Sequence, residues 1–233
     1  MSDKVVLIVG ATGGIGSALA RKLAPTGAKL ILTGKNPEKL AALATEFPGA
    51  LTVPTDITDP EQVNTLMEKI VATAGRLDAL VNAAGAGVMK QYNKIAPEDL
   101  DRMLDLNLKG SFYTSQAAAN VMKDNRSGHI CNVVGILGKY PMAMAAAYCA
   151  SKYGVVGFSK CLADEVKRYG IKVTLFYFGG VDTPFWDEVS LKVDRSKMLN
   201  ASTAADAIYF ALTAEPQAVP TEITIQPESH LFL

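Results

Sequence analysis

The chain has 233 residues, 49% hydrophobic and 20% charged, which is material for one well-buried α/β domain and excludes a disordered chain. Its 23 basic residues balance 23 acidic ones, which argues against a nucleic-acid or membrane-surface role, and no apolar run approaches the roughly 20 residues of a membrane span. Cys131, Cys149 and Cys161 are odd in number, lack metal-ligand spacing and read as reduced thiols of a cytoplasmic protein; with His129 and His230 the only histidines, neither a zinc site nor a Ser-His-Asp triad is expected.

The chain opens with a buried-strand pattern, Val5 to Val9, so close to Met1 that no signal peptide is expected. It turns through Gly10, Gly13, Gly14 and Gly16 into a helical pattern in which Ala18, Leu19, Lys22 and Leu23 are spaced to lie on that strand. A glycine turn between a buried strand and a helix N-terminus cradles phosphate, because exposed N–H groups and the helix dipole favour an anion. Thr12 and Ile15 share this turn, whose alternative reading is a tight packing turn that binds nothing. Lys29–Thr33 is the second strand, and Asn36-Pro37 caps and opens a helix. Leu51–Pro54 is the third strand, and Asp59-Pro60-Glu61-Gln62 opens the next helix. Ala79–Asn82 is the fourth strand, and Pro97–Asn120 carries one long helix or two. His129–Val134, helix Ala147–Tyr169 and Lys172–Phe176 follow. Thr203–Ala214 reads as a helix with Thr203 and Asp206 as a capping box, and Glu222–Ile225 is the last strand. Strand–helix alternation in units of roughly 30 residues predicts right-handed crossovers and a doubly wound parallel sheet. Ligands of such sheets sit at the carboxyl ends of the strands, where strand order reverses.

After strand two come Gly34, Lys35 and Asn36, where an NAD site places an acid on the ribose 2′-hydroxyl. Here a lysine stands instead, which favours NADP(H) over NAD(H); otherwise Lys35 is a solvated loop residue. Asp56 is suited to an adenine amino group, with Ile57 over the ring, or is simply a turn residue. Asn82 can brace main chain, and Ala83, Ala84 and Gly85 let a cofactor lie against the backbone. Asn107, on an apolar helical stretch, either bonds a neighbouring backbone or bends its helix to hold a water. Tyr148 and Lys152, four apart on a helix, share one face. A cation about 4 Å from a tyrosine at an effective dielectric near 20 supplies roughly the 4 kcal/mol needed to bring its pKa from 10 towards 7. That pair suits proton transfer.

With these pieces in order, Gly10/Gly14/Gly16, Asp56, Asn82-Ala-Ala-Gly85, Asn107, Tyr148-x3-Lys152 and Gly179-Gly180-Val181-Asp182-Thr183, nearly the whole chain resembles the short-chain dehydrogenase/reductase family, NADP-dependent carbonyl and 3-oxoacyl reductase-like members in particular. The resemblance implies one Rossmann-type domain over residues 1–233, with three α/β/α layers and about seven parallel strands. It implies hydride transfer between NAD(P)H and a carbonyl or alcohol. Tyr148 would be the general acid/base, Lys152 would lower its pKa and hold the nicotinamide ribose, and Asn107 would support a water-mediated proton path. Thr183, with Val181 nearby, would meet the carboxamide. A homodimer or homotetramer is implied, with no membrane or nucleic-acid partner.

Two positions depart from the family pattern. Gly135 stands where the family has a serine that bonds the substrate carbonyl, and Phe178 where it has proline. Losing one donor to a developing oxyanion costs about 10² to 10³ in rate. Gly135→Ser is therefore expected to separate a disabled site from a retuned one. Val88, Met89, Ile136, Leu137, Tyr140, Met142, Met144 and Phe178, with a lid from about 184 to 202 carrying Phe185 and Trp186, suggest an apolar carbonyl substrate or are ordinary core. The competing reading is a catalytically impaired NADP-binding regulatory module. A methyltransferase is disfavoured, since it gives Tyr148 and Lys152 no role.

Overall fold

The computed structural model describes residues 1–229, so His230 lies outside the described residues. Seven parallel strands form one sheet: β1 Val5–Val9, β2 Lys29–Gly34, β3 Leu51–Pro54, β4 Ala79–Asn82, β5 Gly128–Val133, β6 Ile171–Phe178 and β7 Glu222–Ile225, in the order β3-β2-β1-β4-β5-β6-β7. The strand order reverses between β1 and β4, which pair Val6 with Ala79 through Val9 with Asn82. A crevice therefore opens beyond Val9 and Asn82.

The alternation of side chains along each strand sorts the core into two faces. Val6 and Ile8 pack with α1 Gly14–Leu23, α2 Pro37–Ala44 and α7 Ala201–Thr213. Val5, Leu7 and Val9 pack with α3 Pro60–Ala74 and α5 Gly110–Asp124. Helices α4 Pro97–Met103 and α6 Ala146–Val166 complete the three-layer, Rossmann-type arrangement. Asn36 and Asp59 cap α2 and α3 as their sequences imply, accepting from Lys39 N and from Glu61 N and Gln62 N.

Two expectations need correction. Lys22 does not lie on β1; its ammonium pairs with Asp206 at 2.6 Å and sits over the Tyr209 ring. That ion pair takes Asp206 away from the Thr203 capping box, and α7 starts two residues earlier, after Asn200. Of the two alternatives for Pro97–Asn120, two helices are found, α4 and α5, joined by a π-helical stretch, Leu104–Lys109, that carries Asn107. Among the described residues no helix is long and apolar enough to cross a membrane.

Candidate active site

The glycine turn sits at the switch point because β1 ends there. Gly10 has φ +78, and a Cβ on it would stand 2.6 Å from Ala84 N, so only glycine lets β1 and β4 close together here. Gly14 packs directly on the Thr183 side chain. A cleft of about 780 Å³ opens over this turn, within the usual range for ligand sites. It is lined by Gly10, Thr12, Gly13, Gly14 and Ile15; by Gly34, Lys35, Asn36, Asp56 and Ile57; by Ala83 and Ala84; and by Tyr148, Lys152, Val181 and Thr183. The sequence pattern named all of these. Gly16, Asn82 and Asn107 do not reach the cleft. Gly16 packs on the Gly10 carbonyl, inside the turn. Asn82 donates to Asn132 Oδ1 at 2.8 Å and to Ser115 Oγ at 3.1 Å, and accepts from Thr114 Oγ1 at 2.8 Å, tying β4 to β5 and α5.

At the end of the cleft beyond β2 and β3, Lys35 is not a free cation. Its ammonium pairs with Asp56 Oδ2 at 2.6 Å, while its side chain remains 79% exposed. Asp56 also accepts from Thr58 N and Thr58 Oγ1. Burial pushes the Asp56 carboxyl up, but the bonds from Lys35 and Thr58 outweigh it and hold the group below its ordinary range. The expected roles of Lys35 and Asp56 are thus coupled. Lys39, one turn into α2, also lines this end, which spacing alone did not single out.

At the other end, Tyr148 and Lys152 project from α6. The Lys152 ammonium lies 5.7 Å from the Tyr148 ring centroid and donates to Val133 O at 3.3 Å. Asn107 holds this region from behind. Its Oδ1 accepts from Ala86 N at 3.0 Å, and its Nδ2 donates to Ala86 O at 3.0 Å and Ser151 Oγ at 3.1 Å. Ser151 in turn donates to Tyr148 O at 2.7 Å. The asparagine thus bonds a neighbouring backbone, the first of the two alternatives, from within a π-helical stretch. Ser151 was missed; its signal was a hydroxyl three residues after Tyr148 on an apolar helix.

The electrostatics correct one expectation. Burial, with a smaller push from Cys149, raises the Tyr148 hydroxyl above its ordinary value, and does not leave it lowered by Lys152. Burial brings Lys152 down to about 8. The low-dielectric site weighs on both charged forms more than their attraction relieves.

Gly135 faces the Tyr148 hydroxyl: a Cβ there would stand 3.4 Å from it. Its backbone has φ 87 and ψ 160, a region open in practice only to glycine. Gly135→Ser would therefore be strained, so it is not the clean restoration the sequence suggested. Met89, Ile136, Leu137, Met142 and Phe178 line the cleft, whereas Val88, Tyr140 and Met144 do not. The segment Pro184–Asp187 borders the same end. Phe185 lies 6.0 Å from the Tyr148 ring and 5.2 Å from Trp186. Arg195 donates to Asp182 at 2.5 Å, Asp187 at 2.6 Å and Thr183 O at 3.2 Å.

The family model for short chain dehydrogenases matches residues 4–194. The chain belongs to the short-chain dehydrogenase family. As a short-chain dehydrogenase it is an enzyme of nicotinamide-linked oxidation and reduction. It is 35% identical over 229 residues to an uncharacterized oxidoreductase of Staphylococcus aureus, covering 97% of this chain and 98% of that relative. A metagenomic short-chain oxidoreductase solved with NADP superposes with a TM-score of 0.83 at 29% identity, over 97% of each chain. The 3-ketoacyl-(acyl-carrier-protein) reductase of Brucella melitensis, solved with NADH, gives 0.90 at 26%, over 96% of this chain and 97% of that one.

Proposed function

We propose that the protein is an NADP(H)-dependent reductase or dehydrogenase of small, mainly apolar carbonyl compounds and alcohols, with Tyr148 as its general acid/base. The observation that carries this reading is the cleft itself, which runs from the glycine turn to Tyr148 and Lys152 on one helix face. The residues present fit a dinucleotide. Gly10 and its neighbours offer bare backbone and a helix N-terminus for the pyrophosphate. Ala83 and Ala84 leave room along the wall, and Lys35 with Asn36 meets a ribose 2′-phosphate. A bound nicotinamide supplies or accepts the hydride. Tyr148 transfers the proton at the substrate oxygen, and Lys152 holds the ribose and stabilises the tyrosinate as it forms. Asn107 is a positioning residue that fixes Ala86 and, through Ser151, the Tyr148 backbone. The lid from 184 to 202 excludes water.

The 233 residues act as one domain, as a homodimer or homotetramer, in the reducing cytoplasm; Cys131, Cys149 and Cys161 are all free thiols. The bare wall at Gly135 and the raised Tyr148 hydroxyl favour a second reading, a cofactor-binding regulatory module with impaired turnover.

Tyr148→Phe decides between them. NADPH oxidation with a ketone and aldehyde panel should fall by at least about 10³-fold, while NADPH binding, followed by fluorescence, stays within about threefold. Tight NADPH binding with no turnover by the unmodified protein would give the second reading the lead.

A further inference from the structure

The space beside the Tyr148 hydroxyl is bounded by Gly135, whose backbone conformation admits no ordinary side chain. The lining of the cleft includes Val134, Ile136, Leu137, Met142, Phe178 and Phe185, all apolar. The Lys152 ammonium is directed to Val133 O. Among these side chains, a carbonyl oxygen seated on Tyr148 meets no hydroxyl besides that of Tyr148. We propose that this site is built for conjugated, apolar dicarbonyl compounds, vicinal diketones first, because their oxygen needs no second donor. The proposal rests on the oxidoreductase reading above and narrows its substrate.

An isolated ketone gathers a full charge on one oxygen as it is reduced. Without a second side-chain donor that costs up to about 10² to 10³ in rate. A second carbonyl next to the reacting one withdraws electron density, makes the carbon a better hydride acceptor and lowers the basicity of the new oxyanion. It thus supplies from within the substrate what the wall lacks. The apolar lining suits the same class. In the extended conformation of a vicinal diketone the two carbonyl dipoles nearly cancel, so desolvation costs little. A flat conjugated skeleton also suits walls made by Phe185 and Trp186.

One carbonyl carbon takes a hydride from a reduced nicotinamide dinucleotide. Its C=O π pair moves to oxygen, and that oxygen takes the Tyr148 proton. The products are a hydroxyketone and the oxidised dinucleotide, and water reprotonates the tyrosinate.

The test compares 1-phenylpropane-1,2-dione with propiophenone, which share a carbon skeleton. Initial rates of NADPH oxidation give kcat/KM, and calorimetric titration into the NADP⁺-loaded protein gives affinities without turnover. The dione should exceed propiophenone by more than about 100-fold in kcat/KM, with affinities within about tenfold. Electron-withdrawing para substituents should also speed the acetophenones. A ratio below about 100, or a gap carried by affinity alone, overturns the proposal and leaves the oxidoreductase reading standing. Silence with every ketone, while NADPH binds, overturns both.

Discussion

Lys35 and Lys152 are two cations of one cleft held in opposite ways. Lys35 follows β2, with a side chain 79% exposed and an ion pair to Asp56 at 2.6 Å. Lys152 is only 4% exposed, donates to a backbone carbonyl, and is brought by burial from 10.5 to about 8. Solvent screens the first charge, so its pairing contributes at most about 1 kcal/mol. The second carries a desolvation cost of roughly 3 kcal/mol, set by its displaced pKa. The binding end thus uses cheap, exchangeable charge. The Tyr148 end keeps a costly one, which fits the catalytic role proposed for it.

Lys152→Met breaks the comparison most forcefully. Turnover should fall by at least about 10²-fold. Stability should move the other way. The folded pKa of Lys152, about 8, lies below its ordinary 10.5. Between those values the unfolded chain binds more protons, so stability rises with pH across that window, and the penalty is complete below it. At pH 7 the methionine variant should therefore gain up to about 3 kcal/mol in urea unfolding, shrinking towards pH 10.5. A variant less stable than the parent at pH 7 would mean that the ammonium is well compensated in place.

Gly135→Ser comes next. With φ at 87 the serine should cost about 1 to 3 kcal/mol in unfolding free energy, and Gly135→Ala should cost about the same. Neither should raise kcat/KM. An alanine variant of parental stability would show that the backbone relaxes there, and a serine hydroxyl would then become a fair probe.

The sequence carried the strand ends well, and for a physical reason. Leu51–Pro54, Ala79–Asn82 and Glu222–Ile225 are apolar or β-branched runs, and alternation with helices forces them parallel, so chemistry collects beyond their carboxyl ends. What escaped was decided by contacts between distant residues. The π-helical stretch carries Asn107, which bonds Ala86, 21 residues away. Asp206 left its capping box for Lys22. Spacing placed Tyr148 beside Lys152 but carried no measure of burial, which sets the direction of both pKa shifts. Gly135 looked like a missing hydroxyl; its positive φ makes it a backbone requirement. The Lys35–Asp56 pair was within reach of the sequence, since β2 and β3 are parallel neighbours with Gly34 beside Pro54.

That pair gives the smallest effect and tests the other side of the comparison. If Lys35 serves a 2′-phosphate, Lys35→Ala should lower the NADPH/NADH affinity ratio by no more than about fivefold, as befits an exposed charge. Asp56→Asn should shift the ratio towards NADPH, because it releases the ammonium from its 2.6 Å partner while keeping the acceptor that Thr58 uses. Stability should change by under about 0.5 kcal/mol in both. Salt separates charge from shape: raising ionic strength should shrink the Lys35 effect, since the Debye length falls from about 10 Å at 0.1 M to about 3 Å at 1 M. An unchanged ratio in Lys35→Ala would remove Lys35 from cofactor selection and leave Asn36 and Lys39 as the groups to test. A loss well beyond tenfold would mean that the bound phosphate buries Lys35, and the two lysines would then differ only until the cleft is filled.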